Sequence, residues 1–299
     1  MKLAYAAFVL AAGCGSPSNP NNGTPDAPPV AVDALDNTGW TTLAQRNWSL
    51  AVGEHDKYEC TRVKIDQDMY ITGFRAMGPV GTHHSVVTVS NTATPLGDYD
   101  CTVGALDFQM LYAAGVNTDD LAFPTNVAMK ISAGQYVNLN LHLFNASDNP
   151  LTGPSGILVK TITAAQASGY MMADMTFSGT MNISVPSDNT PHTASGGCKA
   201  PTDWHIFNLW PHMHQTAIHQ SFSVNGANLL DMDYAFSEQR NYPMAVTTIH
   251  QGDTLLTTCT YKNNTGATVQ YGESSTNEMC FTGLYKYPAG GNLLQCALN

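Results

Sequence analysis

The chain has 299 residues, of which only 12% are charged, and its formal net charge is −11. That length supports two ordinary domains with full cores. An acidic chain with no basic run has nothing to neutralise phosphates, which argues against nucleic acid as a partner.

Residues 1–14 read as a targeting segment. Met1-Lys2 gives a positive start, Leu3 to Ala12 is a short apolar run, and Ala11-Ala12-Gly13 ends it with small residues. The run is too short to span a bilayer. Cys14 after Ala-Gly has the setting of a bacterial lipobox, in which Cys14 becomes the lipidated first residue, although Leu10 lies one place further upstream than the pattern prefers. Plain secretion is the alternative. Residues 15–37 form a flexible linker, rich in Pro, Ser, Asn and Gly at its start. No later segment has the roughly 18 apolar residues that a membrane span needs, so membrane contact is expected only through a lipid anchor. The expected location is extracytoplasmic, lipid-anchored or secreted.

The remaining cysteines fit that compartment. Of seven, six are left if Cys14 carries lipid, an even number suited to disulfides. No CxxC occurs, so zinc-ribbon and thioredoxin readings lack support. Spacing alone leaves many connectivities open.

Abundant Thr, Ser, Asn, Gly, Val and Tyr, with no helical periodicity of useful length, give an all-β expectation. Residues 38–166 read as a first β domain. Val63-Lys64-Ile65 and Met69 to Phe74 suggest strands, followed by a β-branched run, Thr82 to Val89, opened by His83-His84. Neighbouring strand residues face opposite sides. Both imidazoles can therefore meet one metal only if the backbone is irregular, as Gly78-Pro79 and Gly81 suggest. The plainer reading is one core and one surface histidine. Tyr136 to His142 alternates, with Val137, Leu139 and Leu141 on one face and Asn138, Asn140 and His142 on the other. His142 thus lies on a polar face, where a lone histidine is usually a surface residue.

Asn149 to Pro154 reads as a turn and Gly156 to Lys160 as a strand, with a boundary near Ala164–Ala167. Residues 167–299 read as a second β domain. Pro186 to Pro201 reads as a long polar loop. In Leu209-Trp210-Pro211-His212-Met213-His214, an extended backbone points His212 and His214 the same way, a half-site for a borderline transition metal. Pro211 implies an edge or bulge there. Gly252 to Tyr261 reads as a strand and Asn263 to Gly266 as a turn. Met279 stands in a Ser/Thr/Asn/Glu stretch, an unusual setting for a core methionine.

His83-His84, His142, His212-Met213-His214 and Met279, in that order, resemble the copper type II ascorbate-dependent monooxygenases, the family of dopamine β-monooxygenase and peptidylglycine α-hydroxylating monooxygenase. The resemblance covers roughly Trp40 to Cys296 and is strongest from Gly252-Asp253-Thr254 through Glu278-Met279-Cys280 to Tyr287-Pro288. It implies two tandem antiparallel β-sandwich domains of jelly-roll type, one copper on each, facing a cleft. It implies that His83, His84 and His142 hold an electron-transfer copper, and that His212, His214 and Met279 hold the copper at which O2 reacts. Ascorbate or another one-electron reductant would be the cosubstrate. It also implies the disulfides Cys60–Cys101, Cys198–Cys296 and Cys259–Cys280.

Departures bear on the substrate, a small molecule or peptide. The peptide-hydroxylating relatives carry an Arg, to clamp a carboxylate, where this chain has Trp210. Phe281 and Gly283 stand where relatives carry polar or aromatic pocket residues, and Asn140 where the peptide enzyme has a Gln; Tyr58 is retained. Tyr58, Asn140, Trp210 and Phe281 are therefore candidate substrate contacts, and they favour an apolar or aromatic substrate over peptidylglycine. A non-catalytic extracytoplasmic copper-binding protein on the same fold is the alternative, and an adhesion or binding lipoprotein with incidental histidines is a third reading. His55, His192, His205, His219 and His250 read as structural or surface residues.

Overall fold

Alternating and β-branched runs separated by Gly, Pro and Asn turns favour strands over helices. The computed structural model describes residues 37–102, 109–115 and 118–297, and among them it contains strands and no helix. The expected targeting segment, its Cys14 and the linker up to residue 36 lie outside the described residues.

The first half contributes β1 (Thr41–Leu50), β2 (Lys57–Lys64), β3 (Met69–Met77), β4 (Thr82–Ser90), β5 (Gly97–Asp100), β6 (Gln109–Gly115), β7 (Leu121–Ala122), β8 (Val127–Ile131), β9 (Tyr136–Leu143), β10 (Leu151–Ile162) and β11 (Met171–Met172). The second contributes β12 (Asp174–Thr180), β13 (Ser184–Val185), β14 (Pro191–Lys199), β15 (Trp204–His212), β16 (Ala217–Val224), β17 (Ala227–Asp233), β18 (Tyr242–Ile249), β19 (Thr254–Lys262), β20 (Val269–Gln270) and β21 (Cys280–Tyr287).

In the first half, one sheet runs β1-β10-β3-β8-β11 with β7 beside β3, and another runs β5-β2-β9-β4-β6. The second half holds the sheets β12-β21-β15-β18 and β14-β19-β16-β17, with a small β13-β20 pair. The pairings are antiparallel except β11 with β8. Residues from Gly39 onward form one compact unit. The largest core cluster explains why: Met175, Phe177, Phe207, Trp210, Phe281 and Tyr285 of the second half pack with first-half residues such as Leu111, Tyr112, Leu139 and Leu141. Each large side chain removed from water contributes roughly 1.5–3 kcal/mol.

Two sequence expectations are corrected and one is met locally. The Pro186 to Pro201 stretch is not a loop, because β14 lies within it and pairs along its length with β19. Its Ser, Thr and Gly content hid an edge strand whose partner lies about sixty residues away in sequence. Pro211 sits at a local edge, as expected: β15 is central in its sheet, but its pairing with β18 ends at Leu209 while pairing with β21 continues through His212. The missing N–H therefore falls where β15 has only one neighbour. The polar face of β9 is not solvated: Asn138, Asn140 and His142 are as buried as the apolar face.

A small network fixes the start of β4. The Trp48 indole donates to Ser155 Oγ at 2.7 Å, and Ser155 Oγ meets Thr82 Oγ1 at 2.6 Å, all three side chains being buried. Ser155→Ala leaves two buried donors without that partner and should lower stability by about 1–3 kcal/mol. Urea unfolding checks this; an unchanged midpoint would show that water replaces the hydroxyl.

Candidate metal centre

β9 lies between β2 and β4, and His142 stands directly across from Tyr58 on one side and His84 on the other. Directly opposed residues share a face, so His84 and His142 meet, with ring centroids 4.8 Å apart. His83, one residue earlier, would point away in a regular ladder. The pairing of β4 with β9 shifts between Thr82 and His84, and this irregularity brings His83 to 4.9 Å from the His142 ring. Ligand atoms of the three imidazoles lie within 4.8 Å of one another, close enough to hold one metal ion.

Hydrogen bonds choose the nitrogens. The Asp56 carboxylate can only accept, so His142 Nε2–H donates to Asp56 Oδ1 at 2.7 Å. That leaves His142 Nδ1 with its lone pair, buried and without a partner. His83 Nδ1 and His84 Nδ1 face each other at 3.1 Å. Tyr58 stacks on His142 at 4.6 Å, with ring planes 2° apart, and holds its orientation. Asp56 sits at φ 52, a conformation Asp tolerates better than most residues.

His212 closes β15, while Met213 and His214 follow in irregular backbone. The alternation persists: Met213 is fully buried in a separate cluster with Tyr234 and Tyr261, and the His212 and His214 rings lie 5.2 Å apart on the other side. His212 Nδ1 pairs with Gln239 Oε1 at 3.1 Å and His214 Nδ1 with the Asn277 carbonyl at 3.2 Å. Both acceptors leave Nε2 as the lone-pair nitrogen. Trp210 stacks on His212 at 4.8 Å.

One cavity of about 200 Å³ joins these parts, and His84, His142, His212, His214 and Met279 all line it. The candidate contacts Tyr58, Asn140, Trp210 and Phe281 line it as well. Phe236 touches both imidazole groups, 4.5 Å from the His83 ring and 6.2 Å from the His214 ring. Asp56, Gln239, Glu278 and Phe236 carried no signal in the sequence, because their partners are remote in the chain. His192, His219 and His250 instead face the carboxylates of Asp188, Asp231 and Asp203. His205 stacks on Tyr287 and His55 packs on Phe144.

The residues fit a borderline metal. The orphaned Nδ1 of His142 is what a ligand position looks like before it is filled, and burial keeps the imidazoles neutral, the form that binds metal. Burial, then the neighbouring His142, depresses the His83 pKa to about 4. Burial, then His214, brings His212 to about 3, and burial chiefly brings His214 to about 4. His84 is lowered further by burial and by the imidazoles around it.

These shifts set a pH window. Unfolded imidazoles titrate near 6.5, so below that pH the unfolded chain binds more protons than the folded one. Stability of the metal-free protein should be flat just above pH 6.5 from this source and fall as pH drops from about 6.5 to about 4. Urea midpoints across that range check it, and a His212→Asn variant should show a shallower fall. A flat profile would contradict neutral buried imidazoles.

The disulfides Cys60–Cys101, Cys198–Cys296 and Cys259–Cys280 are present. They are the chemistry of an oxidising, extracytoplasmic compartment. Among the described residues no helix is long and apolar enough to cross a membrane.

No curated protein matches the chain. Among solved structures it is similar to the major capsid protein P2 of bacteriophage PM2, at 9% identity and a TM-score of 0.30, over 81% of this chain and 96% of that one. It is also similar to PBCV-1 VP54 fitted into a reconstruction of the virophage Sputnik, at 8% identity and a TM-score of 0.23, over 84% and 97%. Likeness at that level carries no functional argument. Residues 168–298 match the family described as copper type II ascorbate-dependent monooxygenase, C-terminal domain. That segment carries His212, His214, Met279 and two of the three disulfides, so the match to this family's C-terminal domain falls on one of the two imidazole groups.

Proposed function

We propose that this protein is a two-copper monooxygenase that hydroxylates a C–H bond of a small organic or peptide substrate with O2 and ascorbate or another one-electron reductant. One observation carries the reading. His84 and His142 from one imidazole group and His212 and His214 from the other line the cavity that Met279 also lines, and the hydrogen bonds of His142, His212 and His214 leave each a lone-pair nitrogen. The family match over residues 168–298 supports it.

On this reading residues 38–166 and 167–299 are tandem β-sandwiches, each with one ligand set. His83, His84 and His142 would hold one copper, and His212, His214 and Met279 the other. Imidazole suits copper in either oxidation state, and a thioether favours Cu(I). Copper, when bound, supplies the one-electron and O2 chemistry. One oxygen atom enters the C–H bond and the other leaves as water, balanced by two electrons from the reductant and two protons. The chain supplies the rest: Asp56, Gln239 and the Asn277 carbonyl orient imidazoles, and the apolar wall limits water around the reacting carbon.

Copper content of the full chain, loaded with disulfides intact and then dialysed, tests the reading. Two coppers per chain are expected, falling to about one in His142→Ala or Met279→Ala, together with ascorbate consumption coupled to substrate hydroxylation. One copper or none in the unaltered protein would remove the two-copper reading, and two coppers with no turnover would favour a copper-binding protein.

Asp56→Asn should weaken copper at the three-histidine set by about 10–100-fold and leave the other set unchanged. Competition with a chelator, followed by Cu(II) spectra, reads the two sets separately. Equal loss at both would show general destabilisation instead.

A further inference from the structure

We propose that the cavity takes a small uncharged molecule with one aromatic ring and one hydrogen-bond acceptor, which the Trp210 indole N–H engages. The inference names the substrate class of the copper reading and rests on that reading for what happens to the molecule, though not for its binding.

Size comes first. An apolar cavity of ~150 Å³ accepts a benzene ring, so about 200 Å³ accepts a ring with a short substituent. The wall fits that shape, with Phe177, Met181, Trp210, Phe281, Leu293 and Leu294 around it. Phe281 and Trp210 both approach Phe177, with ring centroids at 5.4 Å and 6.2 Å.

Charge comes second. Among the described residues no Lys or Arg lines the cavity, so a carboxylate or phosphate entering the metal-free site would lose water without gaining a partner. Glu273 is the one carboxylate among the described lining residues, and it is exposed to solvent. A pair formed there with an ammonium would be an exposed one, worth little against the cost of desolvating the cation. The lining therefore selects against both signs.

The third observation points to a ligand. Trp210 is 2% exposed, and its Nε1 is buried with no hydrogen-bond partner. Indole nitrogen is a donor only, and a buried donor normally has an acceptor. A carbonyl, hydroxyl or ether oxygen on the bound molecule would satisfy it once a small shift of the indole uncovers the nitrogen. The indole ring also stacks on His212 at 4.8 Å, so a molecule engaged by Trp210 lies beside that imidazole.

Calorimetric titration of the full chain, metal-free and copper-loaded, with four probes tests this. The probes are acetophenone, ethylbenzene, phenethylamine and phenylacetate. Acetophenone should bind the metal-free chain once, at least tenfold tighter than either ion. Trp210→Phe keeps a ring but removes the donor; it should weaken acetophenone roughly fivefold to tenfold and leave ethylbenzene within about twofold. Either ion binding the metal-free chain as tightly as acetophenone would overturn the proposal, as would equal loss of both neutral probes in the variant. The ranking in the unaltered protein stands even if the variant folds poorly. Copper counted on the same samples separates the two ideas. Acetophenone bound without retained copper sinks the copper reading alone, and two coppers without acetophenone binding sinks this inference alone.

Discussion

The site depends on one buried carboxylate. Glu278 is fully buried, and it accepts hydrogen bonds from the backbone of His214 at 2.9 Å, Thr216 at 2.7 Å and Met279 at 3.3 Å, and from Thr216 Oγ1 at 2.7 Å. Taking a carboxylate out of water costs several kcal/mol. Hydrogen bonds to a charged group return roughly 1.5–3 kcal/mol each, so four of them offset much of it. Burial pushes the Glu278 pKa up, and those donors oppose the shift. The result is a clamp: the irregular segment after β15 and the segment before β21 hang on the same two oxygens. The His212-Met213-His214 arm and Met279 are therefore positioned together.

A second contact ties that arm to the first half of the chain. Gly115, at the end of β6, donates its N–H to the Gln239 carbonyl at 2.8 Å. A Cβ at Gly115 would lie 2.7 Å from Gln239 Cβ, so only glycine lets the two backbones meet so closely. Gln239 then presents Oε1 to His212, while Asn241 donates to the Ala113 carbonyl at 2.9 Å. His84 pairs with Gly115 across the β4–β6 ladder. A few hydrogen bonds thus connect the backbone under one imidazole group to the ring of the other.

Local pattern made the strands, the shared side of His212 and His214 and the need for irregularity at His83 legible. Period-2 alternation and the glycines ahead of β4 carry that information directly. What alternation cannot report is whether a polar face meets water or another layer, and so β9 looked half-solvated when it is buried. Nor can it report partners fixed only by tertiary contact. Asp56 reads as one more loop acid, and Gln239 as one more polar residue between strands, until folding brings them to His142 and His212. The β14 strand was hidden for a related reason: its ladder with β19 supplies the order that its own residues do not favour.

Leu293 and Leu294 reach the wall of the cavity on a segment that has no ladder of its own; the Leu293 carbonyl accepts from the Phe177 N–H at 2.7 Å, and Cys296 bonds to Cys198 on β14. Those leucines lie roughly eighty residues beyond His212, and a covalent staple to a different sheet holds their segment in place. That side of the cavity is therefore fastened by one covalent bond and a few backbone hydrogen bonds, so the shape of the pocket is tied to the oxidation state of Cys198 and Cys296.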